Sequence, residues 1–192
     1  MRKTVEIQVP AKVNLQLSVG PKKADGYHEV VTVFQAISLM DTLKISHADQ
    51  FDISISGDYT NRVPLDQSNL VYKAVELMSE KFDTDKTIDI EINKSIPVAG
   101  GMAGGSADAA ATLLGIDALY GLGLSKDELG EVARKLGSDV PFMLHGGTAV
   151  GRGHGDEITP ALSRGNYHWV IAVSSSGLST PAVYGECDRL RT

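Results

Sequence analysis

The stretch SIPVAGGMAGGSADAAATLLGIDALYG, Ser95 to Gly121, decides the fold. Four of the six residues from Gly100 to Gly105 are glycine, and an alanine-rich run follows at once. A glycine pinned by folding costs about 0.5–1 kcal/mol relative to alanine, so four cost about 2–4 kcal/mol. A whole domain is held together by only about 5–15 kcal/mol. The backbone here must therefore do something that side chains would prevent. Glycine lets several N–H groups turn into one concavity and puts no Cβ in the way. A helix start adds unpaired N–H groups and about half a positive charge. Together they make an anion site suited to phosphate. Ser106 reads as the N-cap of a helix from Ala107 to Tyr120, and the alanines let that helix pack closely. A linker or a tight strand–helix junction is the plain alternative, but a linker would not join a patterned strand directly to a good helix. The loop lacks the Gly-Lys-Ser/Thr ending of a P-loop, and its spacing is not that of a Rossmann turn.

The flanks supply the rest of the pattern. Ile88, Ile90 and Ile92 share one face of TIDIEIN, the period of a strand. Before it, Leu70, Ala74, Leu77 and Met78 fall at helical spacing, with Ser68 or Asn69 as N-cap. FDISISG, DTLKIS and Val31 to Leu39 read as strands. So does TVEIQVPAKVNLQLSVG. There Val5, Ile7 and Val9 share a face, and after Pro10 Val13, Leu15, Leu17 and Val19 oppose Lys12, Asn14, Gln16 and Ser18. Asp25-Gly26 marks a turn in PKKADGYHE. Beyond the loop, Ser125 and Glu128 form a capping box and Gly137 stops the helix that follows. GGTAVGRG reads as a strand entering a turn, YHWVIAV (167–173) as an apolar strand, and STPAVYGECDRLRT as the start of a helix. The order is α+β rather than a regular strand–helix alternation. The stop at Thr192, just after a strand and a helix start, reads as that of a fragment of a longer protein.

Composition narrows the function classes. At 192 residues the chain has room for one full domain and part of another. With 42% hydrophobic and 22% charged residues it reads as a soluble globular protein. A net charge of −6 argues against a general nucleic-acid binder, which needs a basic face. No apolar run approaches the roughly 18–20 residues of a membrane helix, and MRKTVEIQVPAK lacks the apolar middle of a secretory signal. Cys187 is the only cysteine, which excludes an internal disulfide and a cysteine-based zinc site. The expectation is a cytoplasmic protein whose partners are small molecules, not nucleic acid or membrane.

PVAGGMAGGSADAA resembles the phosphate-binding motif of the GHMP kinases, the superfamily of galactokinase, homoserine kinase, mevalonate kinase and phosphomevalonate kinase. PAKVNLQLSVGPKKADGYHEVVTVFQAISLMDTL, SNLVYKA and LGSDVPFMLHGGTAVGRGHGDEI are similar to its diphosphocytidyl-methylerythritol kinase branch, which serves the methylerythritol phosphate (non-mevalonate) isoprenoid route. The resemblance runs through nearly the whole chain. It implies the GHMP kinase fold, with an N-terminal α/β sandwich of the ribosomal-protein type over residues 1–164. Residues 165–192 would then begin a ferredoxin-like, substrate-side domain. It also implies transfer of the γ-phosphate of ATP to the 2-hydroxyl of diphosphocytidyl-methylerythritol (CDP-methylerythritol), with Mg²⁺ accompanying ATP.

The resemblance assigns residues. Pro97, Val98, Ala99, Gly100, Gly101, Met102, Ala103, Gly104, Gly105, Ser106 and Ala107 would hold the ATP phosphates. Asp139, in GSDVPF, on its own reads as a cap for the next segment. The resemblance makes it the catalytic aspartate, accepting or orienting the proton of the substrate hydroxyl. Lys12 on its own reads as a solvated strand lysine. The resemblance pairs it with Asp139, where its ammonium would offset charge developing at the attacking oxygen or the γ-phosphate. Asn14 would hydrogen-bond that pair. Tyr27 and His28 on their own are a surface aromatic and a loop histidine. The resemblance puts them in a cytidine pocket, Tyr27 stacking on the base and His28 reading its edge. Tyr184 matches a second stacking aromatic, with Thr180 and Pro181 on the approach to it. Ser106 either caps its helix or ligates Mg²⁺, as the matching serine does in related kinases. Spacing yields no carboxylate ligand, so no protein metal site is assigned. Lys94 reads as solvated, with a place near the nucleotide as the alternative. His145, His154, Asp156 and Glu157 carry no assigned role. Two other readings stand beside this one: a homoserine- or mevalonate-type GHMP kinase, and a non-catalytic nucleotide-binding fragment. DGYHE and Tyr184 speak against the first, because a ring sandwich suits a base-bearing substrate.

Overall fold

The two alternating stretches at the start become two long antiparallel strands in a computed structural model that describes residues 3–24, 26–174, 177 and 179–191. Asp25 of the expected turn pair, and Thr192, lie outside the described residues. The elements run β1 (Thr4–Lys22), β2 (His28–His47), β3 (Asp52–Gly57), α1 (Leu70–Phe82), β4 (Ile88–Lys94), α2 (Gly104–Tyr120), α3 (Lys126–Leu136), α4 (Val140–His145), β5 (Thr148–Arg152), β6 (Glu157–Pro160) and α5 (Thr180–Arg191). β1 follows β2 from Thr4↔Ser46 to Lys22↔His28. On its other side β2 changes partner. Thr42 to His47 pair with β4, and Thr32 to Gln35 pair with β5. β3 lies parallel to β4, and β6 is antiparallel to β5, completing a mixed six-stranded sheet. Strands expected separately over 31–39 and 41–46 are thus one strand, β2.

The alternation fixes which face is covered. Ile88, Ile90 and Ile92 are buried, while Asp89, Glu91 and Asn93 between them are not. Leu43 and Ile45 of β2 join the buried side, and α1 to α4 gather there. Each such isoleucine contributes about 1.5–3 kcal/mol on burial. The opposite face meets water, as an antiparallel sheet permits. α2 sits in the middle of the helical layer, with Ala107, Ala109, Ala110, Ala111, Leu113 and Ile116 buried. Its small residues let the backbone come close to the sheet: a Cβ at Gly115 would run into Ile45 and Ile7.

Among α1, α2 and α3, helix ends follow the side-chain chemistry with one exception. Asn69 accepts from the Val71 N–H at 2.9 Å and caps α1. Ser125 and Glu128 cap α3 reciprocally, and Gly137 follows its end. The exception is α2. It begins at Gly104 rather than Ala107, after a left-handed Ala103, and no side chain caps it. Ser106 lies inside the first turn, so it is not the N-cap. The apolar YHWVIAV is not a strand either. No strand among the described residues lies beside it to pair its N–H and C=O groups, and Trp169, Val170 and Ile171 are exposed. α5 forms where a helix start was read and is tied to the far end of the β1–β2 pair. Arg191 donates to the carbonyls of Val19 and Gly20. No helix among the described residues is long and apolar enough to cross a membrane.

Candidate active site

A cleft of about 800 Å³ opens between the glycine loop, the inner parts of β1 and β2, the start of α4 and the start of α5. Left-handed backbone recurs at Ala99 (φ 57°), Gly101 (φ 71°) and Ala103 (φ 58°). Alternation of left-handed with ordinary residues curls a chain into a concavity lined by N–H groups. Two of the three positions are alanine, at about 1–2 kcal/mol each, so the surroundings must hold this shape. The glycines divide by task. A Cβ at Gly104 would press on Ile96 Cγ2 at 3.1 Å and Lys94 Nζ at 3.2 Å, so the chain's own packing demands glycine there. A Cβ at Gly105 would meet nothing within 4 Å, and Gly105 lines the cleft. The room before Gly105 is room for a ligand. Ala107 donates to the Ala103 carbonyl at 2.8 Å and is fully buried. Its N–H is therefore committed to the helix, and Ala107 stands outside the lining of the cleft. The uncapped N–H groups of Gly104, Gly105 and Ser106 come before that bond.

Lys12 reaches the cleft through a fault in β1. The β1–β2 register shifts between Pro10 and Lys12, where proline cannot donate to the ladder. The Lys12 N–H instead donates to Met102 O of the loop at 3.2 Å. Contrary to the solvated reading, Lys12 is 6% exposed. Its Nζ donates to Asn14 Oδ1 at 2.7 Å and lies 4.0 Å from Asp139 Oδ2. Asn14 donates onward to Thr32 Oγ1 at 2.7 Å, and Thr32 to Gln16 O. Lys12 also sits over the Phe34 ring, which stacks on Phe142 of α4. Burial pushes the Lys12 ammonium below the ordinary lysine range, and Asp139 opposes that push. Asp139 occupies the N-cap position of α4 without using its side chain as a cap. The carboxylate is left facing the cleft beside Lys12.

Lys94 overturns its reading as solvated. It is 1% exposed and bridges Asp41 Oδ2 at 2.5 Å and Asp108 Oδ2 at 2.7 Å, beneath the loop. Burial pushes the Asp108 carboxyl up to about 7, against the pull of Lys94 and with a further push from Asp41. Asp41 and Asp108 carried no sequence signal, since each sits singly in an apolar stretch.

Rings stand at the other end of the cleft, with Tyr184 and His154 in its lining and Tyr27 and His28 outside the lining. Thr180 and Tyr184 line it, while Pro181 is exposed and stands outside the lining. His28 is buried, its Nε2 lies 2.9 and 3.0 Å from the two Asp188 oxygens, and its ring meets Tyr184 edge-on at 5.1 Å. Tyr27, 61% exposed, stacks on His154 at 4.6 Å. His154, Thr32 and Ser138 line the cleft although sequence reasoning gave them no role. His154 lies in a GRGHGDE turn whose residue types mark only the turn. Among the described residues no three His, Cys, Asp or Glu side chains gather to hold a metal.

Residues 69–147 match the model of the GHMP kinases N terminal domain. The 4-diphosphocytidyl-2-C-methyl-D-erythritol kinase of Rhodococcus jostii is 54% identical over 97% of this chain and 60% of its own length. That of Nocardia farcinica is 52% identical over 97% of this chain and 61% of its own length. The chain thus spans about 60% of the curated relatives it matches. A crystal structure of 4-(cytidine 5'-diphospho)-2C-methyl-D-erythritol kinase superposes with a TM-score of 0.65 at 39% identity, covering 82% of this chain and 55% of the other. The mevalonate kinase of Methanococcus jannaschii shares the fold at 15% identity and a TM-score of 0.61, over 84% and 56% of the two chains.

Proposed function

We propose that this chain is a GHMP kinase that binds ATP and transfers its γ-phosphate to the 2-hydroxyl of 4-diphosphocytidyl-2-C-methyl-D-erythritol. The observation that carries the reading is the facing of the glycine loop and the Lys12–Asp139 pair across one cleft. Phosphoryl transfer asks chiefly for positioning and for stabilisation of charge on the moving group. The start of α2 offers uncapped N–H groups and a partial positive charge to the phosphates. Lys12, fixed by Met102 O and Asn14, sets an ammonium beside the attacking oxygen. Asp139 takes or orients the hydroxyl proton. The Lys12 ammonium lies over the Phe34 ring, 5.6 Å from its centroid, and the ring face helps to hold the charge in place.

The ligands fit the residues present. The open space before Gly105 suits a phosphate that must approach the backbone. Mg²⁺ would travel with the triphosphate and neutralise part of its charge, with the Ser106 hydroxyl as the protein group nearest in kind. Tyr27, His28 and Tyr184 supply rings and a hydrogen-bonding edge for cytosine, with Thr180 at the approach, which favours the cytidyl acceptor over mevalonate or homoserine. On the same reading residues 1–164 make the nucleotide-binding domain, and α5 belongs to the acceptor side. An ADP-release assay with CDP-methylerythritol, mevalonate and homoserine as acceptors tests the proposal, run beside the Rhodococcus jostii relative. ADP release with the cytidyl acceptor alone is expected. Release with homoserine or mevalonate in its place would overturn the specificity. ATP binding without turnover on any acceptor would favour the non-catalytic reading.

A further inference from the structure

We infer that Asp41, Lys94 and Asp108 form a clamp that closes the base of the glycine loop and holds it in the shape a nucleotide needs. The inference rests on the reading of that loop as a nucleotide cradle. Three elements meet at the clamp. Asp41 is on β2 and shares the inward face with Leu43 and Ile45, Lys94 ends β4, and Asp108 lies in the first turns of α2. Asp41 uses both oxygens. Oδ2 takes Lys94, and Oδ1 accepts from the Ser95 N–H at 2.6 Å and the Ile96 N–H at 2.9 Å. The entrance to the loop is thereby fixed to β2. Lys94 then reaches past Gly104 to Asp108 and fixes the exit. Residues 97–103, with their left-handed Ala99, Gly101 and Ala103, are strung between those two ends.

Stability alone does not call for such a cluster. Its side chains are 0–4% exposed, and a buried ion cluster can often be replaced by apolar groups at no loss of stability. Asp108 Oδ1 has no hydrogen-bond partner among the described residues, so the cluster is not even fully satisfied. What it does supply is direction: four bonds of defined geometry at the two ends of a loop whose backbone would otherwise relax. Lys94, Asp41 and Asp108 are positioning residues, acting on the nucleotide through the loop.

The test separates shape from stability. The triple variant Asp41→Asn/Lys94→Met/Asp108→Ala removes every charge of the cluster together and keeps an amide oxygen at position 41 to accept from the Ser95 and Ile96 N–H groups. Its melting temperature and its affinity for a fluorescent ATP analogue are measured together. The clamp predicts a folded variant, melting within about 5 °C of the parent, that binds the analogue at least about tenfold more weakly. Undiminished affinity in the folded variant overturns the clamp. Should the variant not fold, amide hydrogen exchange on the unaltered chain decides. Ser95 and Ile96 protected before any nucleotide is added support the clamp; rapid exchange that slows only with the analogue overturns it. An unaltered chain that binds no analogue refutes the nucleotide reading instead, and the exchange measurement, made without nucleotide, still tests the clamp.

Discussion

Asp139 and Asp108 are both aspartates at the edge of the helical layer, and their surroundings give them opposite tasks. Asp139 is one-third exposed, faces the cleft and stands 4.0 Å from an ammonium. Replacing it with Asn keeps the shape and removes the proposed proton acceptor. Turnover of Asp139→Asn should fall about 10²–10⁴-fold, with affinity for an ATP analogue unchanged; steady-state kinetics and a binding titration check both parts. Asp108 is buried, and its carboxyl is raised to about 7 from the ordinary 3.8. Between those values the folded chain keeps a proton that the unfolded chain has released. Its contribution to stability is therefore full below pH 3.8 and is lost as pH rises through about 7. Denaturant unfolding at about pH 5 and about pH 8 should show the parent less stable at the higher pH, and Asp108→Asn should lose most of that difference. Equal slopes in the two proteins would mean that Asp108 holds no proton. Neither role was written in residue type. Asp139 was singled out only by a resemblance, and Asp108 sat unnoticed in an alanine run because only the fold brings Lys94 beneath it.

The glycine loop and α2 were the most legible element, and the least legible part was where the helix begins. Period-two and helical spacing located β1, β4, α1 and α3, because each needs only one buried face. Ser106 misled as a cap because the true cap, Ala103, has no side chain to announce it; left-handed backbone is invisible in an alanine. Lys12 misled because alternation puts it on the polar face, whereas the shift after Pro10 carries it into the cleft. YHWVIAV misled because apolar composition suits a strand but cannot supply a neighbour to bond. The glycines also change the test of the element. Crowding Gly104 would push on Ile96 and Lys94 and so would confuse packing with binding. Gly105→Val is the cleaner probe, since its Cβ meets no protein atom. Its circular dichroism should match the parent, while ATP-analogue affinity falls about tenfold or more, about 1.4 kcal/mol. Unchanged affinity would put the phosphates elsewhere.

At the scale of the molecule, β2 is the frame on which both ends of the cleft hang. Its Asp41 end anchors the loop, its Thr32–Phe34 middle supports Asn14 and Lys12, and its first residue, His28, receives α5. The loop side and the ring side are thus held by different stretches of one strand, so damage to one need not reach the other. Asp188 tests that separation. Its carboxylate takes His28 Nε2 and brings the Tyr184 ring against the histidine edge. Removing it frees both rings that the proposed cytosine contact depends on, while Asp41, Lys94 and the loop stay bonded as before. Asp188→Ala should raise KM for CDP-methylerythritol about tenfold, the scale of one base-stacking contact, and leave KM for ATP as it was. A rise confined to ATP, or shared equally by both substrates, would show that α5 shapes the cleft as a whole and that the base does not sit between Tyr27, His28 and Tyr184.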